Sequence, residues 1–211
     1  MPIVRDREYR VTSFPLLPST TDKGKRIDSN YYVEGYATTF TRYLLWEYTD
    51  TDNGSVYRYY EEIAPDALNG ADISDVIMQY DHTGRVLARI RNGTLGIETD
   101  EKGLFMFADL SKSKAAKELY NDISEKLIDR MSWAFSIAEQ SFERLDDNTR
   151  LRRIERIKKV YDVSAVSIPA NDGTEISARS FAERSFLAEQ QERLGLQARI
   201  LKLKIDMEVG S

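Results

Sequence analysis

Apolar and polar positions alternate with a period of two along several short stretches, the pattern of half-buried strands. The clearest is 131–137 (MSWAFSI). There Met131, Trp133, Phe135 and Ile137 fall on one face, and Ser132, Ala134 and Ser136 on the other. Residues 30–40, rich in tyrosine and β-branched side chains, read as a strand kinked at Gly35. Residues 55–63, 85–91, 94–99, 104–110 and 160–168 also read as strands, the last closed by Pro169. A short apolar run, 75–80, ends at the turn signal Asp81-His82-Thr83-Gly84. The period changes over 112–128, where Ala115, Leu119, Ile123 and Leu127 lie four apart, predicting a helix with Ser111 as N-cap. A short helix is expected at 65–68, behind Pro65. Residues 174–206 read as helix interrupted at Gly195, with Asp172 and Glu175 at capping-box spacing. The polar first thirty residues, with Pro15 and Pro18, read as loop, as does 41–55 with its Asp50, Asp52, Asn53 and Gly54.

These elements predict an α+β fold: a mainly antiparallel curled sheet or barrel of about seven strands, an internal helix outside it and a C-terminal helical segment. The expected organisation is a polar N-terminal segment at 1–29, one domain at 30–173 and a helical tail at 174–211. With 211 residues and 41% apolar composition, the chain can form one substantial core. A net charge of −5 gives no basic stripe for nucleic acid. No stretch approaches the ~20 apolar residues of a membrane helix. The N-terminus lacks the apolar core of a signal peptide, so a soluble cytoplasmic protein is expected.

The chain has no cysteine and one histidine, His82. Thiolate catalysis and cysteine-based zinc sites are excluded, and no cofactor or transition metal is expected. A carboxylate-metal hydrolase built on Asp50 and Asp52 is a formal alternative, although that pair sits in a turn. The small face of 131–137 admits an imidazole or a substrate backbone close to Ser132 or Ser136. It equally suits a strand packed under a helix. A serine nucleophile needs a base, and here only His82 is available as a histidine. A third group normally orients the imidazole, and Asp162 is a candidate. Alternation places Asp162 with Ser164, Val160 and Val166. The other reading pairs Asp162 with the basic cluster Arg152, Arg153, Arg156, Lys158 and Lys159.

Six segments, in order, resemble the HK97-type prohead proteases of tailed phages. They are VEGYATTF at 33–40, EEIAPDAL at 61–68, MQYDHTGRVLARI at 78–90, DEKGLFMFADL at 100–110, LIDRMSWAFSI at 127–137 and YDVSAVSIPAND at 161–172. The resemblance implies that His82 is the base and Ser132 the nucleophile. That family is related in fold to the herpesvirus assemblins, so an assemblin-like fold is implied. Asp162 then takes the place of the assemblins' third triad member. The segment after that strand implies Ala170 and Asn171 as oxyanion candidates. Asp129 and Ala134 stand where the family commonly has glycine.

The implied function is a serine endopeptidase that cleaves capsid and scaffold proteins, and itself, inside the assembling procapsid in the host cytoplasm. Its partners would be the major capsid protein, the scaffold and further copies of itself, with no nucleic acid and no membrane. The alternative is a non-enzymatic scaffold or assembly protein on an inactive protease fold, whose amphipathic C-terminal helix binds partner helices.

Overall fold

The computed structural model describes residues 7–12, 14–18, 24–51 and 53–167, with helical residues at 188, 191–192, 195–196 and 198–202. The strands are β1 Glu8–Thr12, β2 Leu17–Pro18, β3 Tyr32–Thr39, β4 Tyr43–Thr49, β5 Val56–Ile63, β6 Ile77–Tyr80, β7 Thr83–Arg89, β8 Leu95–Thr99, β9 Gly103–Asp109, β10 Arg130–Arg144 and β11 Thr149–Val166. Helix α1, Lys114–Ser124, lies between β9 and β10. The fold is mostly β with few helices, compatible with the α+β class.

No sheet is closed into a barrel among the described residues. Among the described residues the strands form two sheets, one of seven strands in the path β1-β10-β11-β5-β4 with β6 and β7 beside it, and one of four in the order β2-β3-β9-β8. The organising element is the long β10–β11 hairpin. Along one edge of β11, β5 pairs in parallel with Thr149–Ile154 and β6 pairs in parallel near Asp162 and Ala165. The register of β10 against β11 shifts at several points. Such bulges bend a strand and tighten its twist.

The core lies between the sheets and under α1. The large face of β10 supplies Met131, Trp133 and Phe135, all fully buried. They join Val33, Leu104 and Met106 from the smaller sheet and Ala116, Leu119 and Ile123 from α1. The Trp133 and Phe135 rings stack with centroids 4.0 Å apart.

Several local expectations are corrected. Part of the N-terminal loop is strand: β1 lies against β10 and β2 against β3. Residues 41–55 contain β4, which forms a hairpin with β5 and stacks Trp46 on Tyr48 with centroids 5.8 Å apart. Residues 65–68 form consecutive turns rather than a helix. Their backbone is diverted to β11, where Ala64 N bonds Ile154 O and Ile157 N bonds Ala67 O. Helix α1 is capped by Ser113, whose hydroxyl accepts from Ala116 N. Ser111 is instead engaged with the Asp109 carboxylate. The helix ends before Lys126, which has φ +60°, so Leu127 is 71% exposed. Gly35 marks a close approach, since a Cβ there would lie 3.0 Å from Pro15 O and 3.1 Å from the Met131 sulfur. The strand expected at 131–137 is present but runs on to Arg144.

Candidate active site

The ladder of β10 sets the floor of the site. Residues opposite one another in antiparallel strands share a face. Ser132 lies opposite Ser164 of β11 and Val11 of β1, and Ala134 lies opposite Asp162 and Tyr9. The small face expected for β10 is therefore flanked by two polar residues of β11 on one side and by Tyr9 on the other.

A bulge sets which β11 residues reach this face. Asp162 pairs with Ala134, yet Val160 pairs with Phe135, leaving Tyr161 as an extra residue. Val160 is thus moved to the core side with Phe135, contrary to simple alternation. Tyr161 turns toward Ser136, and its hydroxyl donates to Ser136 Oγ at 3.5 Å.

His82 arrives from the β6–β7 hairpin. Tyr80 pairs with Thr83, so Asp81 and His82 are the two central turn residues, with φ +49° and +55°. Two successive positive φ values suit the tight turns that follow strand twist. For non-glycine residues the left-handed region costs about 1 kcal/mol or more each. The turn is fastened to the end of β11: Asp81 N donates to Ala165 O at 2.9 Å, and the Asp81 carboxylate accepts from Ser167 N and Oγ at 2.9 and 2.8 Å.

From this turn the His82 ring reaches Asp162, with Nδ1 2.5 Å from Oδ1. An ionised carboxylate only accepts, so Nδ1 carries a proton, and in the neutral ring Nε2 is the nitrogen with the free lone pair. The ring is nearly enclosed, and Tyr9 meets it edge-on with centroids 4.8 Å apart. Asp162 Oδ1 also accepts from Ser164 Oγ at 2.7 Å. His82 Nε2 and Ser132 Oγ are both buried, and neither has a hydrogen-bond partner among the described residues. The two atoms are therefore not hydrogen-bonded to one another.

The basic cluster on β11 goes elsewhere. Arg152 pairs with Glu8 and Glu61, Arg153 with Glu62 and Glu155, Arg156 with Glu139 and Lys159 with Asp72. Asp162 is hydrogen-bonded to His82 instead. In the turn after β4 the Asp50 carboxylate accepts from Asn53. Asp52, Ala170 and Asn171 lie outside the described residues.

Two contributors were not singled out from sequence. Ser164 was legible only as a residue two positions from Asp162. Tyr9 carried no signal, because its segment reads as loop until its pairing with β10 is known.

In comparison with known proteins, the family model described as caudovirus prohead serine protease matches residues 20–187. No curated protein and no solved structure matches the chain.

Proposed function

The chain belongs to the caudovirus prohead serine protease family, and from that premise we propose that it is a serine endopeptidase with Ser132 as nucleophile, His82 as general base and Asp162 as the group that orients the base. Its substrates are capsid and scaffold proteins, and the chain itself, within the assembling procapsid. The observation that carries the assignment is the 2.5 Å contact between His82 Nδ1 and Asp162 Oδ1, which leaves Nε2 as the basic nitrogen.

In the first step Ser132 Oγ attacks the scissile carbonyl as its proton passes to His82 Nε2. The resulting imidazolium is stabilised by the Asp162 carboxylate on Nδ1. It then protonates the departing amine, so the peptide C–N bond breaks and an acyl-Ser132 ester remains. Water next gives a proton to the same Nε2 as it attacks the ester. Collapse returns the proton to Ser132 Oγ and releases the acid product. The positive-φ turn at Asp81 and His82 supports this reading, because strain of this kind persists where surrounding structure enforces it.

The test is to treat the protein with a fluorophosphonate and map the modified residue, alongside cleavage of its capsid protein. Modification at Ser132, lost in Ser132→Ala together with cleavage, is the expected result. Full cleavage by Ser132→Ala would overturn the assignment.

A further inference from the structure

Ser164 takes no part in the chemistry above, yet its contacts converge on the site. It is fully buried and is the direct ladder partner of Ser132. Its hydroxyl donates to Asp162 Oδ1, the same oxygen that meets His82 Nδ1. A serine hydroxyl has one proton to donate. Here that proton goes to the carboxylate.

A carboxylate drawn out of water needs donors to replace hydration. Asp162 is buried, and Arg152, Arg153, Arg156 and Lys159 on its own strand pair with other carboxylates. The described side-chain hydrogen bonds to Asp162 come from His82 and Ser164, both on one oxygen. Without the Ser164 bond, only the imidazole among the described residues would hold the carboxylate by a side-chain hydrogen bond.

We propose, resting on the Ser132–His82–Asp162 reading, that Ser164 is a positioning residue whose hydroxyl locks the Asp162 carboxylate so that Oδ1 holds the Nδ1 proton of His82. It acts through Asp162 and touches no reacting atom. Its removal has two consequences. The carboxylate gains rotational freedom, which loosens the imidazole. The carboxylate also concentrates more negative charge on Nδ1–H, which favours the imidazolium and keeps the base protonated to higher pH. Among the described residues, the other ionisable groups placed beside the ring are Tyr9, edge-on from β1, and Asp81, its turn neighbour engaged by Ser167. Neither is altered by substitution at position 164.

The experiment uses the full chain with Ser164→Ala, Ser164→Cys and Ser164→Thr. Active sites are counted with a fluorophosphonate, and cleavage of a capsid-protein peptide is followed against pH. The Ala and Cys variants should lose about ten- to a hundredfold in kcat with KM unchanged, and their acid limb should move to higher pH. Ser164→Thr, which keeps a hydroxyl donor, should recover most of the rate. Cysteine preserves the small side chain but donates weakly, so it carries the test if the alanine variant folds poorly.

Because His82 is the only histidine, imidazole 15N NMR reports this residue alone. Its titration, read in a Ser132→Ala background, should move upward with Ser164→Ala. Unchanged kcat per active site, acid limb and imidazole titration in Ser164→Ala and Ser164→Cys would overturn the proposal. Full cleavage by Ser132→Ala with Ser164 intact would instead remove the catalytic reading on which it rests.

Discussion

His82 Nδ1 and Asp162 Oδ1 lie 2.5 Å apart although eighty residues separate them along the chain. The contact joins a strained hairpin turn to the last strand of the larger sheet, and it depends on β6 running parallel to β11. The proposed base and its proposed orienting carboxylate are thus supplied by two neighbouring elements of one sheet. Rigid neighbours of this kind keep the imidazole in a single tautomer and direction.

Ser132→Ala should abolish cleavage of a capsid-protein peptide while leaving the melting temperature within a few degrees of the parent. Ser132 is fully buried on the small face of β10, where loss of one oxygen leaves little cavity. Ser136→Ala should retain activity, because the Ser136 hydroxyl is engaged by Tyr161. Loss of activity in Ser136→Ala with retention in Ser132→Ala would reverse the roles.

Asp162→Asn should lower the single-turnover rate by on the order of a thousandfold or more, since an amide no longer selects the Nδ1–H tautomer. In the parent, activity should be low on the acid side, where the imidazole is protonated. It should rise as pH increases and Nε2 becomes free to accept the Ser132 proton. A flat profile from acid to neutral pH would exclude His82 as the base.

A buried ionic knot lies on the opposite face of β1. Glu61, fully buried, accepts from Arg10 Nε and Nη2 at 2.5 and 2.7 Å, from Arg152 Nη1 at 3.1 Å and from the Tyr43 hydroxyl. Burial, reinforced by the Glu61 charge, pushes the Tyr43 hydroxyl well above the ordinary tyrosine range. Glu61→Gln leaves two buried guanidiniums undercompensated and should destabilise the fold by about 3 kcal/mol, read by urea unfolding. Little or no change in the unfolding midpoint would contradict this account.

Glu8 in the same knot makes β1 acid-sensitive. Burial opposes its ionisation, but Arg10 and Arg152 outweigh burial and hold its carboxyl below the ordinary value. A depressed carboxyl contributes stability that is present above its unfolded value, about 4.3, and is lost as pH falls through the lower folded value. Hydrogen exchange of β1 amides, taken relative to the intrinsic rate at each pH, should therefore accelerate below about pH 4. In Glu8→Gln that acid-dependent increment should be much smaller.

Gly103→Ala should be more damaging than Gly96→Ala. A Cβ at Gly103 would lie 2.1 Å from Thr38 O and 2.7 Å from Thr39 Cα, both backbone atoms of the paired strand. At Gly96 it would meet the Phe107 ring at 2.2 Å, a side chain able to rotate aside. Thermal melts of the two variants check this order. Gly103→Ala is expected to lose about 2 kcal/mol or more.

The alternation in MSWAFSI, the single histidine and the turn signal at Asp81-His82 were all legible in the chain itself. Each depends on local periodicity, local backbone preference or a simple count, so none needs a distant partner. From these came the large core face of β10, the small face with Ser132, and His82 as the available histidine. Tertiary structure decided what the distant partners do. The carboxylate at 162 had two local readings, and pairing of β6 with β11 brought it to His82, while Arg152, Arg153, Arg156 and Lys159 found other acids. The bulge at Tyr161 moved Val160 away from the Asp162 face, because one extra residue inverts every side chain before it. Tyr9 became a neighbour of the imidazole only through β1 docking on β10, a contact between strands more than a hundred residues apart. Such long-range pairing is set by burial and backbone hydrogen bonding across the whole sheet, which no local window of sequence contains.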